Sequence, residues 1–364
     1  MAMLLSVVMI CCFLGSAQCS RESNQKGSHY TGKGPRFDLK TAAAYYELGE
    51  RLNSQGDVAG ALRAFQQAVR MDPEYAPGYY GVGTIFYNGR EFDRAIEAYR
   101  QAISVDPTHI NAHYNLGHAL KEKDDLDGAK WAFRQTIRLD PKFTRARNSL
   151  GSIFLEQGRK DSAVHEFREG LRYDPDNASL HTNLGVALWQ ERDLDGAAEV
   201  LGAAIRLDSN HGRAHYVLGN ILKEQNDLEG AIVHYRAAIR LAPAHSANAH
   251  YHLALALRKK GEVDEAIRSF RHVVRLDPGH SRAYNNLAAT LYQQGNSKAA
   301  AREYRQAIHI KPDFAGARLG LATILIEQGE RDAAIEQYRE IVRTGDDQYL
   351  KDMSAKILLS LGEL

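Results

Sequence analysis

The chain has 364 residues, of which 44% are hydrophobic and 25% charged, with a formal net charge of +1. That balance excludes bulk electrostatic attraction to nucleic acid or anionic lipid, so a charge preference must come from the arrangement of charges on one face. Cys11, Cys12 and Cys19 are the only cysteines, which denies the rest of the chain disulfides and thiolate metal sites.

Residues 1–19 carry no charge, and Leu4 to Leu14 is apolar apart from Ser6. The stretch falls short of the about 20 apolar residues a membrane span needs. It suits the apolar region of a secretory signal, with Gly15 and Ala17 as the small residues before a cut. Two other readings stay open. Cys19 is the residue a lipoprotein would acylate, although Gln18 in front of it departs from the usual pattern. An uncleaved anchor, followed by Arg21, Lys26, Lys33, Arg36 and Lys40, would hold the chain on the cytoplasmic face of a membrane. The first two readings place the rest of the protein outside the cytoplasm: periplasmic, secreted or envelope-anchored. Membrane contact is expected through this segment alone. Residues 20–41 lack apolar periodicity and read as a flexible linker.

From residue 42 to 346 one pattern recurs nine times, with starts near 42, 76, 110, 144, 178, 212, 247, 281 and 315. Its marker is a glycine spaced by 34 residues: Gly49, Gly83, Gly117, Gly151, Gly185 and Gly219. Ala254, Ala288 and Ala322 take the same place after a one-residue insertion at Ser246. Such a period marks a stacked repeat array, whose neighbours cover each other's apolar faces. In the third repeat, Leu116, Ala119 and Leu120, then Ala129, Ala132, Phe133 and Ile137, keep three- and four-residue spacing. This predicts two amphipathic helices of about 12–14 residues. Asp124 and Asp125 mark the turn and can cap the second helix; Asp140-Pro141 ends it. Gly117 and Ala129 lack bulk where the paired helices approach, and Phe133 can fill the gap toward the next pair. Ser246 suggests either drift in a turn or a break between two cassettes, repeats one to six and seven to nine. Residues 347–364 hold Tyr349, Leu350, Met353, Ile357, Leu358 and Leu361 at helical spacing without a partner helix. They are expected to form a capping helix, with self-association as the alternative use.

These residues resemble the tetratricopeptide repeat family. The second-helix alanine is present in all nine repeats: Ala61, Ala95, Ala129, Ala163, Ala197, Ala231, Ala266, Ala300 and Ala334. The closing proline is present in seven, with Ser209 and Asp346 at the other two. The resemblance implies an all-α, right-handed superhelical solenoid of nine helix-turn-helix repeats, with a concave groove lined by first helices.

Reactive groups do not converge. The repeats have no cysteine, no Gly-rich loop between strand and helix, and no His-Glu-x-x-His pattern. His109 and His113, like His211 and His215, are four apart, but the first of each falls in a turn and the second opens a helix. His113, His181, His215 and His250 share a place where the family has Trp, and read as partial fillers of an aromatic slot. No catalysis, cofactor, metal or nucleic acid is expected.

The resemblance also places the ligand-facing residues at set positions of the first helix. At the fifth place stand Tyr80, Tyr114, Asn148, Tyr216, Tyr251 and Asn285, and at the sixth Asn115, Asn183 and Asn286. The second place holds Arg145, Arg213 and Arg282, and the twelfth Lys121, Trp189, Lys223 and Arg258. Tyr offers a large amphipathic face at low entropy cost. Asn offers donor and acceptor to a peptide backbone, and Arg and Lys suit carboxylates. The same tyrosines are compatible with packing inside the array. Some relatives grip a terminal carboxylate with Lys at the fifth place and Asn at the ninth. Here Asn220 has Tyr216 as its companion, so that clamp is incomplete. The asparagines also resemble those lining the repeats of O-linked N-acetylglucosamine transferases, of which only the substrate-holding part could apply. The expectation is a non-enzymatic scaffold for an extended protein segment. An architectural subunit, or a substrate-holding accessory of a glycosyltransferase-type system, is the alternative.

Overall fold

The structure, a computed structural model, describes residues 40–243 and 246–363. The expected signal or anchor in residues 1–19, acylation at Cys19 and linker residues 20–39 lie outside the described residues, as do residues 244–245 and 364. The described chain is helical throughout, with no strand among the described residues.

The helices come in nine consecutive pairs: α1 Ala42–Ser54 and α2 Val58–Met71; α3 Ala76–Asn88 and α4 Phe92–Val105; α5 Ile110–Glu122 and α6 Leu126–Leu139; α7 Thr144–Glu156 and α8 Lys160–Tyr173; α9 Ala178–Glu191 and α10 Leu194–Leu207; α11 Gly212–Glu224 and α12 Leu228–Leu241; α13 Ala247–Lys260 and α14 Val263–Leu276; α15 Ser281–Gln293 and α16 Ser297–Ile310; α17 Ala315–Glu327 and α18 Arg331–Thr344. One further helix, α19 Gln348–Ser360, follows. They fall into two compact units that divide between Glu191 and Arg192. Within each unit a first helix packs on its own second helix, and that second helix on the first helix of the next pair. α19 packs on α18 in the same way, with Leu358 and Ser354 buried beneath it.

The turns explain why helix follows helix at a fixed interval. Between the two helices of every pair one residue adopts positive φ: Gly56, Arg90, Asp124, Gly158, Arg192, Asn226, Gly261, Gly295 and Gly329. Five are glycine, for which this region is free; four are not, and they hold a conformation that costs an ordinary residue about 1–2 kcal/mol. In five pairs the second helix then starts on a side-chain cap, Asn296 supplying one of them. Asp125 Oδ1 accepts from Gly128 N at 2.9 Å, and Asp57, Asp193 and Asp227 cap their helices likewise. At the far end Asp140 is extended, as the residue before proline must be, and its Oδ1 accepts from Lys142 N at 2.9 Å. Asp72, Asp106 and Asp208 repeat this turn.

In five pairs the marker glycine lies under an aromatic ring from its own second helix. A Cβ on Gly117 would meet three Phe133 ring atoms at 2.7–2.9 Å, and Gly49, Gly83, Gly151 and Gly219 stand in the same relation to Phe65, Tyr99, Phe167 and Tyr235. Phe133 therefore closes over its own pair, and the corresponding Phe65 stands against both Gly49 of its own pair and Gly81 of the next. The second-helix alanine is fully buried in all nine pairs, so no larger side chain fits there.

The extra residue at Ser246 leaves the packing continuous: α13 packs on both α12 and α14. Ser246 is buried, and its hydroxyl donates to Pro243 O at 2.7 Å, which closes the lengthened turn locally. The two compact units divide between Glu191 and Arg192 rather than at the insertion.

Candidate functional site

The first helices of each unit carry the residues singled out from the sequence, and the structure shows how those residues meet across repeats. A recurrent link spans 35 residues, joining the sixth place of one repeat to the fifth place of the repeat before it. Asn115 Nδ2 donates to the Tyr80 hydroxyl at 3.2 Å, and Asn286 Nδ2 to the Tyr251 hydroxyl at 3.0 Å. Asn183 Nδ2 donates to Asn148 Oδ1 at 2.6 Å. The sequence assigned these amides to a peptide backbone; in the structure their N–H groups brace the array. Asn183 is 7% exposed and Asn220 only 3%, the latter accepting from the Tyr235 hydroxyl at 2.8 Å.

The fifth-place tyrosines are wedges with one face packed. Tyr80 lies 6.0 Å from Tyr99 and 5.0 Å from His109 between ring centres. Tyr114 lies 5.8 Å from Phe133 and 4.9 Å from Phe143. In the C-terminal unit Tyr216 faces Tyr235 and His252, and Tyr251 faces Phe270 and His280. Burial pushes the Tyr80, Tyr216 and Tyr251 hydroxyls up, so they remain protonated donors at neutral pH. Packing and surface use thus coexist in one side chain. Tyr80, Tyr114 and Tyr216 stay half-buried, whereas Tyr251 is covered.

Cations line the same helices. Exposed Arg145 places its guanidinium 5.1 Å over the Phe143 ring and 5.9 Å over Tyr114. Lys121 Nζ pairs with Glu156 of the next repeat at 2.6 Å. Lys223 Nζ instead approaches His252 Nδ1 at 3.2 Å, and Arg258 donates to Asn286 Oδ1 at 3.2 Å. Arg282 is exposed at the start of α15, where Asn285 is half-buried; Arg213 on α11 and Trp189 on α9 are half-buried too.

His252 and His118 were not singled out from the sequence, although both fall on positions where the resemblance places ligand-facing residues, the sixth place of the seventh repeat and the ninth of the third. Burial, then the neighbouring Lys223, pushes His252 down to about 3; burial, then Lys121, pushes His118 down to about 4. Both are neutral imidazoles at pH 7. The histidines of the aromatic slot also do more than fill space. Nε2 of His113, His181 and His215 bonds the carbonyl oxygen six residues back, at 3.0, 2.8 and 3.3 Å. Arg318 makes the same bond from Nε at 2.9 Å. Each ties a first helix to the turn that precedes it. Among the described residues no group of three or more His, Cys, Asp or Glu is placed to hold a metal ion.

Paired helices, a left-handed turn residue and a braced face of first helices define an α-helical repeat array. The family model described as Cilia and flagella-associated protein 70 C-terminal domain matches residues 18–253, and two Tetratricopeptide repeat models match residues 251–313 and 291–357. The chain belongs to the family of the first model, a family of tetratricopeptide repeats. Among solved structures, the APC/C hetero-tetramer Cut9-Hcn1 is similar over 79% of this chain and 56% of that one, at 17% identity and a TM-score of 0.54. Pseudomonas aeruginosa pilF is similar over 60% of this chain and 97% of its own, at 20% identity and a TM-score of 0.52. MamA is 26% identical over 45% of this chain and 95% of its own, with a TM-score of 0.43. These likenesses concern the fold. No curated protein matches the sequence.

Proposed function

We propose that the protein is a non-enzymatic scaffold whose first-helix faces hold an extended segment of a protein partner. The observation that carries this reading is the bracing between repeats. Asn115–Tyr80, Asn183–Asn148, Lys121–Glu156 and Asn286–Tyr251 fix aromatic and polar side chains of the first helices, some buried and some half-exposed, before any partner arrives. A face ordered in advance loses little conformational freedom on binding, so modest contacts repeated along the array add up to useful affinity. Arg145 and Arg282, exposed beside this face, favour partners with acidic side chains. Export or membrane attachment through residues 1–19 is part of the same proposal.

The test is site-specific photo-crosslinking in cells, with the photoreactive residue at positions 145 and 282 of the first helices or at exposed Trp131 and Val233 of the second helices. One shared partner crosslinked from 145 and 282, and absent from 131 and 233, is the expected result. Crosslinks from the second-helix positions alone would overturn the assignment of the face.

A further inference from the structure

We infer that the C-terminal unit carries a binding site for a carboxylate that a protein partner presents beside an aliphatic side chain, in the cavity between α11, α13 and α15. This deepens the binding-face reading and rests on it. The cavity measures about 590 Å³ and is lined by Lys223, Leu228, Leu255, Arg258, Lys259 and Gln293, with Glu224 at its edge.

The charge state of the lining points to the ligand. Three cations converge there, and each leans on a neutral group: Lys223 on His252 at 3.2 Å, Arg258 on Asn286 Oδ1 at 3.2 Å, and Lys259 on Asn226 Oδ1 at 2.6 Å. Among the described residues Lys223 and Arg258 form no ion pair. Elsewhere on the array comparable cations meet carboxylates. Lys121, at the same repeat position as Lys223, has Glu156 at 2.6 Å, and Lys311 and Lys260 have Asp346 and Glu229. Glu224, the one acid of the lining, is held by Arg192 at 3.1 Å.

Lys223 is drawn away from water, and burial lowers its ammonium pKa against the opposing pull of Glu224. A neutral imidazole cannot offset a partly desolvated charge as an anion would. His252 is itself held neutral by burial and by Lys223, which keeps its Nδ1 lone pair available as the resting partner. An arriving carboxylate would take donors from Lys223 and the free edges of the Arg258 guanidinium, whose five N–H groups exceed what Asn286 uses. The cavity is larger than a carboxylate, and the Leu228 and Leu255 wall gives an adjacent aliphatic side chain apolar surface to cover.

The experiment measures fluorescence anisotropy of fluorescein-labelled eight-residue peptides with the full chain. One alternates leucine and glutamate, one leucine and glutamine, and one leucine and phosphoserine. The glutamate peptide is expected to bind about tenfold or more tightly than the glutamine peptide, as charge-assisted bonds imply. The Lys223→Gln/Arg258→Gln variant should lose that difference, while Lys142→Gln, on a turn of the other unit, should keep it. Equal binding of the glutamate and glutamine peptides to the wild-type protein overturns the proposal, whatever the folding of the variant. Binding of the phosphoserine peptide alone overturns the choice of carboxylate. Crosslinks from positions 145 and 282 that persist in the double variant would leave the binding face intact while removing this site.

Discussion

Replacing Gly117 by Ala should change sign in its effect on stability according to what stands at position 133. The added Cβ would lie 2.7, 2.9 and 2.9 Å from three atoms of the Phe133 ring. Carbon atoms pack at roughly 3.5–4.0 Å, so the ring must move by roughly 1 Å. Phe133 is fully buried and has little room to do so. Overpacking of this kind costs about 1–3 kcal/mol. Against it stands the gain of about 0.8–1.0 kcal/mol for alanine over glycine inside a helix. The net expectation is a loss of about 0–2 kcal/mol with Phe133 present. In a Phe133→Val background the three ring atoms are gone, and Gly117→Ala should stabilise by about 0.8–1.0 kcal/mol. Repeat arrays need not unfold in one step, so the measurement is hydrogen exchange of amides in α5 and α6 across all four members of the cycle. A change for Gly117→Ala that agrees within about 0.5 kcal/mol in the two backgrounds would refute the steric argument.

Arg90 holds φ at 61° in the turn between α3 and α4, so Arg90→Gly should raise stability by up to about 1 kcal/mol despite its greater freedom when unfolded; a lower melting temperature would count against it. Asp125→Ala removes the cap on Gly128 N and should cost about 0.5–2 kcal/mol, read as faster exchange confined to the first turn of α6. His118 and His252 are depressed from the ordinary 6.5 to about 4 and about 3. The unfolded chain therefore binds protons that the folded one refuses. Their contribution is complete above pH 6.5 and is lost as pH falls from 6.5 toward those values. His118→Phe should flatten the urea midpoint of α5 and α6 over that window, and an unchanged pH slope would sink the assignment. Fusing residues 1–41 to a reporter should carry it out of the cytoplasm, and a reporter found wholly soluble in the cytoplasm would end the export reading.

The pairs, their phase and the alanine at the helix contact were legible because they depend on one short period. Ala129 and Gly117 announce close approach wherever they recur. The bonds the asparagines make across repeats were not legible. A link between residues 80 and 115 exists once two helices lie side by side, and no local pattern signals it. The Lys223–His252 contact was missed for the same reason. Arg90, Asp124, Arg192 and Asn226 hide the left-handed turn from sequence because only five of the nine turns use glycine.

At three junctions the bond from sixth place to preceding fifth place makes one repeat complete a residue that belongs to another. Half of a joint travels with each of those repeats, so they are not freely interchangeable parts. Deleting residues 110–143 keeps the helical phase but brings Tyr80 against Ser149, whose side chain is too short to replace Asn115. Shortening or lengthening the array at such a junction therefore rewrites its surface at the seam, and a repeat that supplies the fifth-place partner can be transplanted intact only with the neighbour that follows it.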